Sequence, residues 1–452
     1  MWKIFFIVSL FAIIAFSDVV TEDFINDLKT LTQSVACYVN SADLNTLRFT
    51  EEAQILAVKY YKKVLFSPWR QALPYTTTAQ IQSLVNNYST GNWYAENKLR
   101  KDSGEFRRLK LLSNLENYPN CNKKAISIRN TSLRLLPTHK PNFYDFAKPG
   151  EGYPFDMLQN TGIPLNTPLF VAHFSKDKMW VFVESAYASG WMPLSDLAFT
   201  SEQFVENWKQ FSFYTPLIDA VALVDAKGLS HGIANIGALL PMENSRIFIV
   251  SDIIDMVFSS SHSDKYKIIA VEADGERQAY LVNCDIGSNF IGNWPLRGSL
   301  NNLAKVADNM MNQPYGWGDL YGNRDCASTL KDLFGAFGRW LPRNGNDQAR
   351  AGKYVSLTGL DVIAKTESLQ REALPLGTLL WFKGHIMLYI GLAPDSTPLI
   401  FHNVWGLRTV DKDQKEDRLI IGKTVISTLE AGKEREGVKN SWLKRLEGMT
   451  IL

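Results

Sequence analysis

The sequence predicts an α+β protein, and three observations carry that prediction. Residues from about 20 to 122 place apolar side chains at helical spacing. Residues from 123 to about 296 read as short strands separated by turns. From about 297 both patterns occur in one unit, a helix followed by antiparallel strands, which is an α+β arrangement. The 452 residues suffice for about three domains. Hydrophobic residues make up 46% and charged ones 21%, the range of ordinary globular proteins. A formal net charge of +2 supplies no field that would draw nucleic acid.

The N-terminus stands apart. Met1-Trp2-Lys3 is a positive start, residues 4–16 are an apolar run of signal-peptide length, and Ala15 and Ser17 are the small residues a signal peptidase inspects. Residues 1–17 are therefore expected to be a signal peptide cleaved after Ser17; the other reading is an uncleaved anchor. No other long apolar run occurs, so an exported protein, periplasmic or secreted and without a membrane span after cleavage, is expected. In an oxidising compartment Cys37 and Cys121 could pair, although connectivity is not readable from sequence. Cys284 lies in an apolar strand pattern and reads as buried. Cys326, in polar, glycine-rich surroundings, is where a reactive thiol belongs.

Residues 18–122 read as a helical N-terminal domain, with Ala53, Ile55, Leu56, Val58 and Tyr61, then Ile81, Leu84 and Val85, as its apolar positions. Phe66-Ser67-Pro68-Trp69 interrupts it, because proline disfavours helix in the residue before it. Residues 123–199 read as a small barrel. Its stretches 169–173 and 179–183 flank the hairpin signal Ser175-Lys176-Asp177-Lys178, and Gly190-Trp191-Met192-Pro193 closes it. Residues 200–296, with strands expected at 221–224, 246–250, 266–271 and 278–282, read as a second small barrel. Residues 297–452 form the last unit. Leu303, Val306, Ala307 and Met310 make one helical face there, and Pro314-Tyr315-Gly316-Trp317-Gly318 reads as a loop. A helix over 326–341 buries Leu330, Leu333, Phe334 and Phe337, and strands follow at 378–382, 385–391 and 398–404.

The chemistry-bearing residues fall in this last unit. Asp325 is a good N-cap for the helix that Cys326 begins, and the positive end of the helix dipole there favours a thiolate. His385 and His402 lie in strands joined by a hairpin loop at 392–397. If His402 pairs opposite Met387, the two imidazoles share a sheet face; a slip of one residue would separate them. One thiol and two imidazoles in this order point to a nucleophile, a base and a group that orients the base. The spacing of Cys326, His385 and His402 fits no zinc pattern, so no metal is expected. His139, His173, His231 and His262 are scattered and read as structural or surface residues.

At these residues the chain resembles the NlpC-type cell-wall peptidases, cysteine peptidases of papain-like fold. The matching pieces are Pro314-Tyr315-Gly316-Trp317-Gly318, Arg324-Asp325-Cys326-Ala327-Ser328, Gly384-His385-Ile386-Met387-Leu388-Tyr389-Ile390-Gly391 and Phe401-His402-Asn403, in the family's order. Gly150-Glu151-Gly152-Tyr153-Pro154-Phe155-Asp156 and Gly190-Trp191 resemble the bacterial SH3 domain of one subgroup, and Phe66-Ser67-Pro68-Trp69 its N-terminal helical domain. The resemblance is weakest over residues 200–296.

The resemblance implies a γ-D-glutamyl-L-diamino acid endopeptidase that cuts peptidoglycan stem peptides before the diamino acid, usually diaminopimelate. It implies Cys326 as nucleophile, His385 as general base and His402 as the orienting group, with Tyr315 near the oxyanion site. Asp325 and Ser328 match positions that contact the free amine of the substrate's L-Ala, and Tyr153 and Glu151 would face the same pocket. No cofactor is implied; the partners are murein-derived peptides and the chain is expected to act as a monomer. Two departures stand out: Ala327 where serine often follows the cysteine, and Asp319 where glycine often follows Trp317-Gly318. The second is expected to add a carboxylate near the cleft. Two other readings are a lytic hydrolase of intact wall and a wall-binding protein with an inert peptidase fold.

Overall fold

Four sheets and a set of short helices make up the computed structural model, which describes residues 25–89, 91–243, 265–438 and 440–452. The expected signal peptide, the strand at 246–250 and His262 lie outside the described residues. Among the described residues no helix is long and apolar enough to cross a membrane.

The stretch expected to be helical does not pack as one body. Ile25, Val35 and Phe49 are buried in the cores of the C-terminal unit. The Asp27 carboxylate accepts the backbone N–H of Thr428 at 2.7 Å, and Gln33 bonds both ways with Ile426 at 2.9 Å. The helices Glu51–Leu65, Thr78–Ser89 and Ser103–Leu112 follow. On Glu51–Leu65 the buried positions are Gln54, Tyr61 and Leu65, whereas Leu56 is 66% exposed. The sequence stripe is offset because Gln54 has a reason to be inside: its Nε2 donates to the carbonyls of Leu296 (2.6 Å) and Phe337 (2.9 Å). A buried amide with two acceptors outcompetes an apolar residue one step round the helix. The break at Phe66-Ser67-Pro68-Trp69 is a single tight turn that buries Trp69, whose indole N–H donates to Ala125 O at 2.7 Å.

The first strand-rich region is one seven-stranded sheet in the order Gln159–Ile163, Thr131–Arg134, Ser189–Pro193, Trp180–Glu184, Pro168–Phe174, Lys123–Ser127, Leu197–Phe199. The hairpin expected around 175–178 is present, pairing Phe174 with Val181. In the next region a helix, Glu202–Lys209, precedes a four-stranded and a three-stranded sheet. The long pair Lys265–Ala273 and Ala279–Gly287 dominates the first of these, and Cys284 is buried there as expected.

The C-terminal unit is a six-stranded sheet, ordered Lys353–Ser356, Gly448–Ile451, Thr378–Phe382, His385–Leu392, Pro398–Val410, Glu416–Thr428. The helices Leu300–Asp308 and Cys326–Gly335 cover one face, packing Leu303, Leu330, Leu333 and Phe334 on Ile386, Leu388 and Phe401. The opposite face carries Leu380, Met387, Tyr389 and Ile400 under Leu369 and Trp442. The Cys326 helix ends six residues short of the expected Leu341. Gly338 turns left-handed (φ +73°), and a Cβ there would meet Val58 at 2.5 Å, so the close approach of the N-terminal helix sets the end. All four cysteines are free thiols, so Cys37 and Cys121 do not pair.

Candidate active site

The loop before Cys326 is wound left-handed. Gly318, Asp319 and Tyr321 have φ of +62°, +66° and +58°. Aspartate tolerates this region better than most side chains, and Asp319 is held in it. Its Oδ2 accepts Gly162 N–H at 3.1 Å and lies 3.2 Å from Arg343 Nη2, while its Oδ1 is buried without a partner. Asp319 is buried against the seven-stranded sheet and shares Arg343 with Asp325, so the added carboxylate stands near the cleft and also joins two units.

Asp325 begins the helix as the capping reading required. Its Oδ1 accepts from Ala327 N (3.0 Å) and Ser328 N (2.9 Å), and the Ser328 hydroxyl accepts Asp325 N–H at 2.9 Å, a reciprocal capping box. Arg343 grips the same carboxylate in a two-pronged bond (2.7 and 3.2 Å) and donates to Thr161 Oγ1 at 2.6 Å. Burial alone would raise the Asp325 carboxyl; Arg343 and the helix donors outweigh it and hold the group below the usual carboxylate range. Both Asp325 and Ser328 are buried and hold the helix start through these bonds.

The thiol does not behave as the helix-dipole argument suggested. Burial, and then the negative Asp325 beside it, push Cys326 up to about 12, against smaller opposing contributions from the Ile386 N–H and Arg343. The Ile386 contact sets the thiol at the start of the His385 strand. Tyr315 is near the same thiol: burial, and then the charges of Cys326 and Asp325, hold its phenol well above 10.

The pairs Leu388–Phe401 and Tyr389–Ile400 continue to Met387 opposite His402, the register that shares a face. His385 Nε2 lies 2.8 Å from His402 Nδ1, and His402 Nε2 lies 3.1 Å from Ser427 Oγ. The Ser427 hydroxyl donates to Thr428 O at 3.1 Å, so its lone pair is left to accept from His402. That assigns the tautomers: His402 carries its proton on Nε2, its Nδ1 accepts from His385 Nε2–H, and His385 Nδ1 keeps a free lone pair. Burial, then Arg445, brings His385 down to about 3. Burial, then His385, keeps His402 well below 6.5. The Trp442 ring lies 4.7 Å from the His402 ring and 6.0 Å from that of His385. Asn403 donates to Arg324 O at 2.9 Å, tying the His402 strand to the residue before Asp325.

An aromatic wall links this site to the seven-stranded sheet. Phe155 lies 6.4 Å from Tyr315, 5.5 Å from Trp317 and 6.1 Å from Trp405, and Tyr153 lies 6.0 Å from Trp405. Tyr153 is 49% exposed, and Glu151 closes its loop by accepting Asp145 N–H at 3.0 Å. The sequence reading missed Arg343, Ser427, Trp405, Trp442 and Arg445. Each lies far along the chain from Cys326 and in no motif of its own.

Comparison with known proteins gives the same architecture. Residues 4–118 match the family model described as the NLPC_P60 stabilising domain, N term, and residues 141–193 match an SH3 domain of SH3b1 type. A solved NlpC/P60 endopeptidase from Photobacterium damselae subsp. piscicida is 24% identical, with a TM-score of 0.83 over 93% of this chain and 97% of that one. An NlpC/P60 family protein from Bacillus cereus ATCC 10987 is 14% identical, with a TM-score of 0.43, over 73% of this chain and 99% of that one. No curated protein matches the sequence. The chain carries the NlpC/P60 N-terminal domain and an SH3 domain, and it has the α+β fold of an NlpC/P60 endopeptidase.

Proposed function

We propose that this NlpC/P60-fold chain is a cysteine peptidase of the bacterial cell wall. It hydrolyses the γ-D-Glu–diamino acid amide of peptidoglycan stem peptides, with diaminopimelate as the usual diamino acid. The observation that carries the reading is the bonded series His385–His402–Ser427, which starts beside the residue whose N–H contacts the Cys326 thiol.

The chemistry follows from the resting charges. With the thiol near 12 and the imidazole near 3, both groups are neutral at neutral pH. Proton transfer is therefore coupled to attack. As Sγ adds to the γ-carbonyl carbon, His385 Nδ1 takes the thiol proton, and the imidazolium leans on His402 through Nε2–H. The oxyanion is met by the N–H of Cys326, which the Asp325 cap leaves aside when it takes those of Ala327 and Ser328, with Tyr315 close by. His385 then protonates the leaving amine and the C–N bond breaks. Water, deprotonated by His385, cleaves the thioester and restores the thiol.

The substrate is a short peptide with a free N-terminal L-Ala. Asp325 and Ser328 at the helix start, with Tyr153 and Glu151 from the wall, read its amine. The N-terminal apolar run supports export to the periplasm or outside. Side-by-side rates on L-Ala-γ-D-Glu-diaminopimelate and on an intact muropeptide test the short-peptide reading. The free tripeptide is expected to be cut faster; faster cutting of the muropeptide would contradict it.

A further inference from the structure

Arg445 is a part-buried guanidinium beside the proposed base that no acceptor holds. Among the described residues it makes no ion pair or hydrogen bond; its neighbour is the Phe382 ring, 4.1 Å away. The side chain is only part-buried and its guanidinium still reaches water, so it is open to an anion from outside the chain. Its electrostatic surroundings add positive charge. Burial lowers Arg445 first, and Arg408 and Arg418 lower it further; Glu447 opposes them weakly. Arg408 and Arg418 stand directly opposite each other across two strands, a like-charge pairing that is ordinarily unfavourable. Both bond one carboxylate oxygen, Glu416 Oε1, at 2.6 and 2.8 Å. Two of the three guanidinium groups thus share one carboxylate, and Arg445 has none.

The patch lies at the cleft. Arg445 stacks on the Phe382 ring, which lies 5.7 Å from the His385 ring, and its own short helix carries Trp442, 6.0 Å from the same imidazole. A Cβ on Gly150 would lie 2.9 Å from Arg418 Nε, so Arg418 touches the loop that carries Tyr153 and Phe155. Through Phe382 the patch sits on the His385 side of the site, and His385 is the group proposed to protonate the leaving amine.

We propose that Arg445, backed by Arg408 and Arg418, binds a carboxylate of the leaving diamino acid, so that the cleft selects peptides in which that carboxylate is free. Arginine suits this task because its planar fork accepts a carboxylate by two parallel bonds. The proposal rests on the peptidase reading of the site.

The test uses two peptides, L-Ala-γ-D-Glu-diaminopimelate and the same peptide with the diaminopimelate carboxyls amidated, and two readouts. Wild type is expected to favour the free acid in kcat/KM, mainly through KM. Arg445→Gln should lose about tenfold to a hundredfold on the free acid and stay within about twofold on the amide. Arg445→Lys should recover part of the loss. Calorimetric binding to Cys326→Ala, with and without Arg445→Gln, reads the same difference without turnover. If wild type cuts neither peptide but Cys326→Ala still prefers the free acid through Arg445, the peptidase reading falls and the carboxylate site stands. Equal losses on acid and amide, no loss, or no binding of either peptide would each overturn the site.

Discussion

Two arginines flank the Cys326–His385 pair, and the fold treats them in opposite ways. Arg343, on the thiol side, is enclosed by acceptors: both oxygens of Asp325, one of Asp319 and the hydroxyl of Thr161. Arg445, on the imidazole side, has an aromatic face and other cations, but no acceptor. The first ties the Cys326 helix to the neighbouring sheet. The second makes no side-chain bond among the described residues and stays in reach of water, open to a substrate anion. Both also act on the chemistry: Arg343 offsets the field of Asp325 at the thiol, and Arg445 adds to the burial that disfavours the imidazolium.

The contrast is sharpest in stability. Arg343→Met leaves Asp325 and Asp319 buried without their cation and should cost about 3–5 kcal/mol in denaturant unfolding. Arg445→Met, which removes a charge with no acceptor, should leave the midpoint unchanged or raise it. Equal losses in the two variants would break the distinction. Next in size is Ser427→Ala, which removes the acceptor that fixes His402. kcat should fall about tenfold with KM little changed, and a change in KM alone would place Ser427 outside the relay.

Acid titration separates the arginines further. His385 works unprotonated, so kcat/KM should fall only as pH drops through its value near 3, far under an ordinary imidazole. Arg445→Gln removes a cation that disfavours imidazolium and should move that limb to higher pH. A limb that stays in place would show that Arg445 does not act on His385. The smallest effect is on the thiol. Asp325→Asn removes the negative neighbour that raises Cys326, so alkylation by iodoacetamide at a fixed neutral pH should quicken, and slowing would contradict the assigned field.

Much of this site was legible because its signals are local. The cap of Asp325, the strands of His385 and His402 and the register that brings them together follow from spacing and alternation over a few residues. The hidden parts depend on contacts distant in sequence. The thiol's rise went unread because the dipole argument sees only the helix end, not the burial or the carboxylate that caps it. Arg343 and Arg445 lie 17 and 119 residues from Cys326, and nothing in their own surroundings marks one as enclosed and the other as open. Gln54 displaced an apolar stripe for a similar reason: its acceptors, Leu296 and Phe337, come from other segments.

The most direct measurement is mass spectrometry of the products from L-Ala-γ-D-Glu-diaminopimelate incubated with wild type and with Cys326→Ala. Wild type should release L-Ala-γ-D-Glu and free diaminopimelate, and Cys326→Ala should leave the peptide whole. Cleavage at the L-Ala–D-Glu bond, or the same products from Cys326→Ala, would contradict the assignment of bond and nucleophile.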